Sequence, residues 1–580
     1  MNSRARESSQ LGVLELLVLG AAAAVLVLEG GLWLWAGTAG ALFGSGWPHL
    51  NLDALWHALG GVARHLSDPR QGFPARVRPG LPDATGFYTA LMLVVVLLGL
   101  AAAAAIMLWQ HARPAGVGRS KRHGARWAGG SDLARLRRRR QRRSPATRAT
   151  DYEGRPRVAE AQGLSLGYRG MRLLRAEDRH ALVAFGPSQS GKSAGIAIPN
   201  ILEWSGPAIV ISIKPDLLDA TVPARAQRGD VLVFDPFGQW DRPTHTWSPL
   251  ASSQTWNQAL ETAQRMASAG EMDTSAVKGG GFWSKAAEQR LAPLFYAAAR
   301  TGRGMGDVVR WTFGQGGAEL DRLMHELVDS SRDAEERADA QHANDGHLAF
   351  CQLAGETRGS IEQTAQILMS AYQSPTVVRS ANGSEITGAR LLDGANTVYL
   401  ISDSRRSKLL RPILIALLTE LLDHAYETAN RSPGRRLASP LLVCLDELGN
   451  AVPIPNLAEI ASTAPSHNIQ LISIFHDIAQ ARERYGQQAL TAINNHRARM
   501  LLSGVADMET LKYFSGLVGE EETRDRRSDP DAPVRRRPLA PPDQLRQIKP
   551  EHGLLIYGSL APAMLRLRLY FNDRKLKQAA

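Results

Sequence analysis

Residues 181–193 read ALVAFGPSQSGKS. Residues 181–185 form a short apolar run of the kind that becomes a buried strand. Gly186, Pro187, Ser188, Gln189, Ser190, Gly191, Lys192 and Ser193 then complete the pattern G-x-x-x-x-G-K-S, with the strand before it that this pattern needs. The glycines let backbone N–H groups turn toward phosphate oxygens. Lys192 brings a cation to the β- and γ-phosphates, and Ser193 offers a hydroxyl to Mg²⁺. The helix that opens here adds its positive end.

The companion motif lies far downstream. Residues 441–447 read LLVCLDE, five apolar residues of a buried strand with two carboxylates at its end. Asp446 suits the magnesium shell. Glu447 suits polarisation of an attacking water, which needs an acceptor just beyond the metal ligand. Alone, either motif could be an ordinary turn or an acidic strand end. Together they predict a hydrolysing P-loop ATPase that uses ATP and Mg²⁺. Further β-rich runs at 208–213 (AIVISI), 231–234 (VLVF), 397–401 (TVYLI), 469–475 (IQLISIF) and 554–557 (LLIY) predict a mostly parallel α/β sheet. Ligands bind at the carboxyl ends of such strands, which puts His476, directly after its strand, within reach of a γ-phosphate. From 251 to 376 the pattern is helical instead, as in SKAAEQRLAPLFYAAARTG and SIEQTAQILMSAY, and predicts an all-α insertion. The polar stretches 329–345 and 520–537 read as exposed loops, the second with a basic end that could face a polyanion.

The 580 residues are 44% hydrophobic and 21% charged, which fits a globular rather than a disordered chain. A net charge of +12 points to anionic partners, nucleic acid or acidic lipid. Two cysteines, Cys351 and Cys444, cannot build a disulfide framework and read as reduced thiols. Two stretches, 11–34 and 88–108, are each long enough to cross a bilayer as a helix. The first contains Glu15 and Glu29, which are costly in lipid and belong at a bundle interior or a span end. Arg119, Lys121, Arg122, Arg126 and the run RLRRRRQRR at 135–143 follow the second span. Between the spans Arg64, Arg70, Arg76 and Arg78 are partly balanced by Asp53, Asp68 and Asp83. Positive charge marks the cytoplasmic side. Both termini and the ATPase part are therefore expected in the cytoplasm, on the inner side of a membrane. The arginine run suits anionic lipid or nucleic acid phosphates.

An ordered series of short motifs follows the phosphate loop: IKPDLL at 213–218, VFDPFG at 233–238, WSPL at 247–250 and Phe282-Trp283. LLVCLDELGN at 441–450, IAQARERYG at 478–486, INNHRARM at 493–500 and RRRPLAPPDQL at 535–545 complete it. With the two spans, this series resembles the coupling proteins of type IV secretion systems, the TraG/TraD kind used in bacterial conjugation, over almost the whole chain. The phosphate loop is shared by many unrelated proteins; the ordered set around a helical insertion is specific. The resemblance implies a RecA-like P-loop NTPase domain with an inserted all-α domain, preceded by two transmembrane helices. The corresponding organisation is an anchor at 1–110, a basic linker at 111–160, nucleotide-binding parts at 161–250 and 386–580, and the insertion at 251–385. The resemblance also implies a homo-hexameric motor at the bacterial inner membrane, a multi-pass protein that receives a relaxase carrying single-stranded DNA and passes it to the type IV secretion channel.

Within that resemblance Lys192, Ser193, Asp446 and Glu447 take the nucleotide roles, and Gln480 matches a recurrent glutamine ahead of Tyr485-Gly486. The chain departs from the family at Ser212, where an acidic residue is usual, and at His476, where glutamine is frequent. Histidine could sense the γ-phosphate through a ring nitrogen. Hydrolysis between subunits also calls for a cation from the neighbour. Arg405, Arg406, Lys408, Arg497 and Arg499 lie near strand ends, and Arg406 and Arg497 are the candidates. Two other readings keep the same engine: a coupling ATPase for protein effectors, and a septal-type double-stranded DNA translocase. The second generally has more spans and a terminal winged helix.

Overall fold

The structure, a computed structural model, describes residues 28–111, 124–137, 163–274, 280–402, 405–449, 452–523 and 535–580. Two compact units follow one another along the chain, Met1–Lys121 and Arg122–Ala580.

In the first unit, helical residues 28–43 and the helices Leu52–Arg64 and Ala84–His111 enclose a small core that includes Leu32, Ala36, Leu55, Phe73, Leu81 and Phe87. The Trp35 indole N–H donates to the Phe87 carbonyl at 2.6 Å and pins this core. Asn51 caps the helix Leu52–Arg64, its side-chain oxygen accepting from the Ala54 amide. Glu29 is buried, while Met92, Val95, Leu97 and Leu100 on Ala84–His111 are more than half exposed. Among the described residues no helix is long and apolar enough to cross a membrane. The first expected span falls largely outside the described residues, as do the side chains of the second beyond residue 100. Most of the arginine run at 135–143 lies outside them too.

The second unit is built on one large sheet. Its strands are β1 (Ser165–Arg169), β2 (Arg172–Arg175), β3 (Leu182–Phe185), β4 (Ala208–Ser212), β5 (Val231–Phe234), β6 (Thr397–Ile401), β7 (Leu441–Leu445), β8 (Ile469–Phe475), β9 (Ala498–Leu502), β12 (His552–Tyr557) and β13 (Ala563–Arg566). The order across it is β2-β1-β13-β12-β9-β3-β8-β7-β4-β6-β5. From β9 to β5 every pairing is parallel. Alternate residues of each strand enter different cores: Val183 and Phe185 join one cluster, Leu182 and Ala184 the other. Both faces are therefore covered, which is why these strands read as unbroken apolar runs.

The run at 554–557 departs from the parallel expectation. It lies in β12, which is antiparallel to both β9 and β13. Residues 558–562 join β12 to β13 directly, and so short a turn can connect only antiparallel neighbours. Strands β1, β2, β9 and β13 are not evident in the sequence, because none of them holds more than three consecutive apolar residues.

Between β5 and β6 the described chain is helical, with Trp256–Thr274, Gly280–Arg300, Met305–Thr312, Gly317–Asp329, Ala334–Cys351 and Gly355–Met369 as its main elements. Leu291, Phe295, Met305, Val308, Trp311 and Met324 are buried among them. The expected loop at 329–345 is corrected here, since most of it belongs to the helix Ala334–Cys351. Its buried face is only Ala340, Ala343, His347 and Phe350, too small a stripe to signal a helix. The Asp333 carboxylate caps it by accepting from the Glu336 amide at 2.8 Å, and Arg300 pairs with Glu336.

The second expected loop is also corrected. Its two ends form β10 (Glu520–Thr523) and β11 (Arg535–Pro538), an antiparallel pair, and residues 524–534 lie outside the described residues. Glu521 faces Arg537 and Glu522 faces Arg536 in register, so charge takes the place of apolar alternation. Both cysteines are free, Cys444 buried in β7 and Cys351 exposed.

Candidate nucleotide site

β3 is wholly buried and delivers the phosphate loop at its carboxyl end. The Gly186 amide donates to the Phe475 carbonyl at the end of β8, at 3.1 Å, which fixes where the loop begins. A Cβ at Gly186 would lie 2.4 Å from Ser190 Oγ and 3.0 Å from Leu502 Cβ. Gln189 and Gly191 take positive φ, +65° and +86°, and these two left-handed residues curl the loop back over itself. Ser188, between them and Pro187, lies on the same loop and is exposed. The chain then enters a helical turn at Ser193–Ala197 that continues as Ile198–Glu203.

Lys192 is buried, and its ammonium donates to the carbonyls of Gly186 and Pro187. Burial lowers its pKa, and the nearby carboxylates of Glu447 and Asp446 oppose that shift. Ser193 Oγ donates to Asp446 Oδ2 at 2.7 Å, joining residues 253 apart in the chain. β7 sets Asp446 there: the Asp446 amide donates to the Ile211 carbonyl of β4, and the Leu448 amide to the Ile474 carbonyl of β8. Asp446 is 1% exposed. Burial pushes its pKa up to about 6, against the lowering effect of the Ser193 hydrogen bond. Its Oδ1 is buried without a hydrogen-bond partner.

Glu447 is buried at φ +58°. Its Oε1 pairs with Lys214 Nζ at 3.1 Å, and this hydrogen bond raises the Lys214 pKa. Lys214 stands within IKPDLL, and no sequence motif assigns it a role. The available signal was its place just beyond β4, the strand beside β7, at the edge where ligands bind. His476 follows β8, and burial first, then the Lys192 charge, lowers its pKa, so the ring is neutral near pH 7. Gln480 acts at the backbone: its side-chain oxygen accepts from the His476 amide at 2.9 Å, and its side chain covers Gly449.

The two candidate arginines stand elsewhere. Arg406 precedes the helix Ser407–Arg431 and stacks on the Phe237 ring at 4.5 Å, beyond β5 at the sheet edge. Arg497 lies just ahead of β9, whose first residue, Ala498, is level with Leu182. It is thus at the opposite end of the strands from the phosphate loop, roughly 13 Å away at the rise of an extended strand. With Arg179, His180, Asn494 and Arg499 it lines a cavity of about 370 Å³.

The donor set fits a magnesium nucleotide. A hydroxyl and a buried carboxylate with a spare oxygen are hard ligands, and Mg²⁺ usually takes one or two protein oxygens together with phosphates and waters. Among the described residues no group of three His, Cys, Asp or Glu could hold a metal on its own.

A family model described as type IV secretory system conjugative DNA transfer matches residues 126–580. VirD4 of Rhizobium radiobacter is 22% identical over 430 residues, covering 70% of this chain and 59% of that protein. The conjugal transfer protein TraG of Escherichia coli is 23% identical over 373 residues, covering 60% and 56%. The chain thus spans less than two thirds of the length of these relatives. Among solved structures, TrwB in complex with ADP and Mg²⁺ superposes with a TM-score of 0.57 at 16% identity, covering 78% of this chain and 96% of that one. The bacterial conjugative coupling protein TrwBdeltaN70 with sulphate gives the same score, identity and coverage. At that identity the likeness shows a shared fold.

Proposed function

Because this chain belongs to the type IV secretory system conjugative DNA transfer family, we propose that it is an ATP-driven coupling protein that hands relaxase-linked single-stranded DNA to a type IV secretion channel. The family resemblance read from the ordered motifs is borne out by that match. The observation that carries the ATPase reading is the Ser193–Asp446 hydrogen bond, which joins the phosphate loop to the acidic strand end. Bound MgATP would supply the triphosphate and the cation that spreads its charge. Lys192 would turn its ammonium from the Gly186 and Pro187 carbonyls to the terminal phosphates. Ser193 and Asp446 would hold the cation. Glu447 would accept a hydrogen bond from the attacking water and orient it in line. His476, neutral and beside Lys192, would contact the γ-phosphate, with Gln480 fixing its backbone.

A cation from a second copy would complete the site in a homo-hexamer. Arg497 suits this better than Arg406, because it lies at the strand end away from its own phosphate loop, where a neighbouring copy's nucleotide could be met. The first unit would anchor the motor in the bacterial inner membrane, both termini cytoplasmic, with the exposed apolar residues of Ala84–His111 against lipid.

The test is ATP hydrolysis by the full chain in detergent, with and without single-stranded DNA. Lys192→Ala should abolish turnover, and Glu447→Gln should lower kcat about 10²- to 10⁴-fold while nucleotide still binds. Turnover unaffected by either substitution would reject the site. Stimulation by an effector protein and not by DNA would favour the protein-cargo reading.

A further inference from the structure

Asp446 and Glu447 are adjacent in sequence but are held from opposite sides of β7. Across the sheet the strands run β3-β8-β7-β4, so the phosphate loop lies on one side of β7 and Lys214 on the other. Asp446 Oδ2 is engaged from the first side by Ser193, and Glu447 Oε1 from the second by Lys214 at 3.1 Å. A left-handed backbone at Glu447, φ +58°, accompanies this split. For a residue with a Cβ such a conformation is strained, and surrounding contacts must hold it. The Glu447 side chain is 7% exposed, whereas that of Lys214 is 49% exposed on a flexible stem. The carboxylate is therefore the fixed partner and the ammonium the one free to leave. Lys214 also stands immediately before the helix Pro215–Ala226, so a shift of that helix would move it.

We propose that Lys214 is a positioning residue that restrains Glu447 on the β4 side of the sheet, and that its release lets Glu447 meet the attacking water. The inference rests on the ATPase reading above. An acceptor oxygen paired to an ammonium is less available to orient water, so basal hydrolysis is held down until a movement of β4 or its following helix opens the pair. An ion pair can favour one arrangement only by its differential strength, so the restraint is modest and reversible.

The experiment uses the full chain in detergent. Lys214→Ala and Lys214→Met, the second keeping the apolar stem, should raise basal ATPase activity about two- to fivefold, the range that loss of one half-exposed pair allows. Stimulation by single-stranded DNA should shrink by the same factor. Lys214→Arg should stay close to the parent. Affinity for a fluorescent ATP analogue should be unchanged in all three. A second readout needs no nucleotide: in thermal unfolding, Lys214→Ala and Glu447→Gln should be non-additive, the double variant unfolding no lower than the weaker single one. A fall in basal turnover, a loss of analogue affinity, unchanged basal rates or additive unfolding losses would each overturn the restraint. A parent chain that hydrolyses nothing would overturn the ATPase reading as well, which separates the two failures.

Discussion

Arg225 has no exposed surface, yet it is a guanidinium in the middle of an α/β domain. Its donors reach the carbonyls of Trp204, Gly206 and Ala395 and the Thr397 hydroxyl, tying the entrances of β4 and β6 together. Burial lowers its pKa to about 10, so it remains charged at neutral pH. Arg225→Leu removes those donors and leaves buried carbonyls unpaired. The expected loss, on the order of 3 kcal/mol, should appear as a lower urea midpoint at unchanged slope. Nothing in the sequence marks this residue, because an arginine in the last turn of a helix normally reads as surface. Lys214 escapes notice for the same reason. Lys192, Ser193, Asp446 and Glu447 are legible because their chemistry demands fixed residue types next to strand ends.

Among the elements, β8 and β9 flank β3 and position the phosphate loop. His496, just ahead of β9, is fully buried, its Nε2 at 2.9 Å from Ser473 Oγ on β8 and its Nδ1 at 2.8 Å from the Ala492 carbonyl. Burial drops its pKa to about 4. The folded value lies below the unfolded one near 6.5, so the contribution to stability is full above pH 6.5 and is lost as pH falls toward 4. That loss is roughly 3 kcal/mol. Unfolding temperatures measured from pH 7 to pH 4 should fall, and His496→Gln should flatten the slope; an unchanged slope would contradict the assignment.

The β10–β11 pair carries a different expectation. Arg536 and Arg537 are 71% and 67% exposed, and each faces a glutamate. Replacing both by alanine should cost at most about 1 kcal/mol. Because their charge is already matched, the salt dependence of the proposed DNA binding should not change; a shallower slope would return this segment to the polyanion role its sequence suggested.

At the scale of the whole molecule, the question is whether one copy is a complete machine. The sheet puts Arg497 and the phosphate loop at opposite strand ends, so the proposed role of Arg497 requires a second copy. Arg497→Ala and Lys192→Ala subunits should each be inactive alone. Mixed, they should recover activity, because the first keeps an intact phosphate loop and the second keeps the arginine. No recovery on mixing would remove Arg497 from the shared site and leave Arg406 as the candidate.

What the sequence determined by itself was which residues meet at the candidate site, and the layering. A phosphate loop needs glycines at set positions, a magnesium site needs a hydroxyl and a carboxylate, and a sheet covered on both faces needs unbroken apolar strands. Each of these is a local requirement written in adjacent residues. Only the tertiary structure decided that β12 reverses the sheet's direction, that an alanine-lined charged stretch is a helix, that glutamates and arginines zip a hairpin, and that Lys214 meets Glu447. The Lys214–Glu447 pair joins residues far apart in the chain, and the others depend on which neighbours bury or match each segment, so the local apolar pattern alone does not announce them.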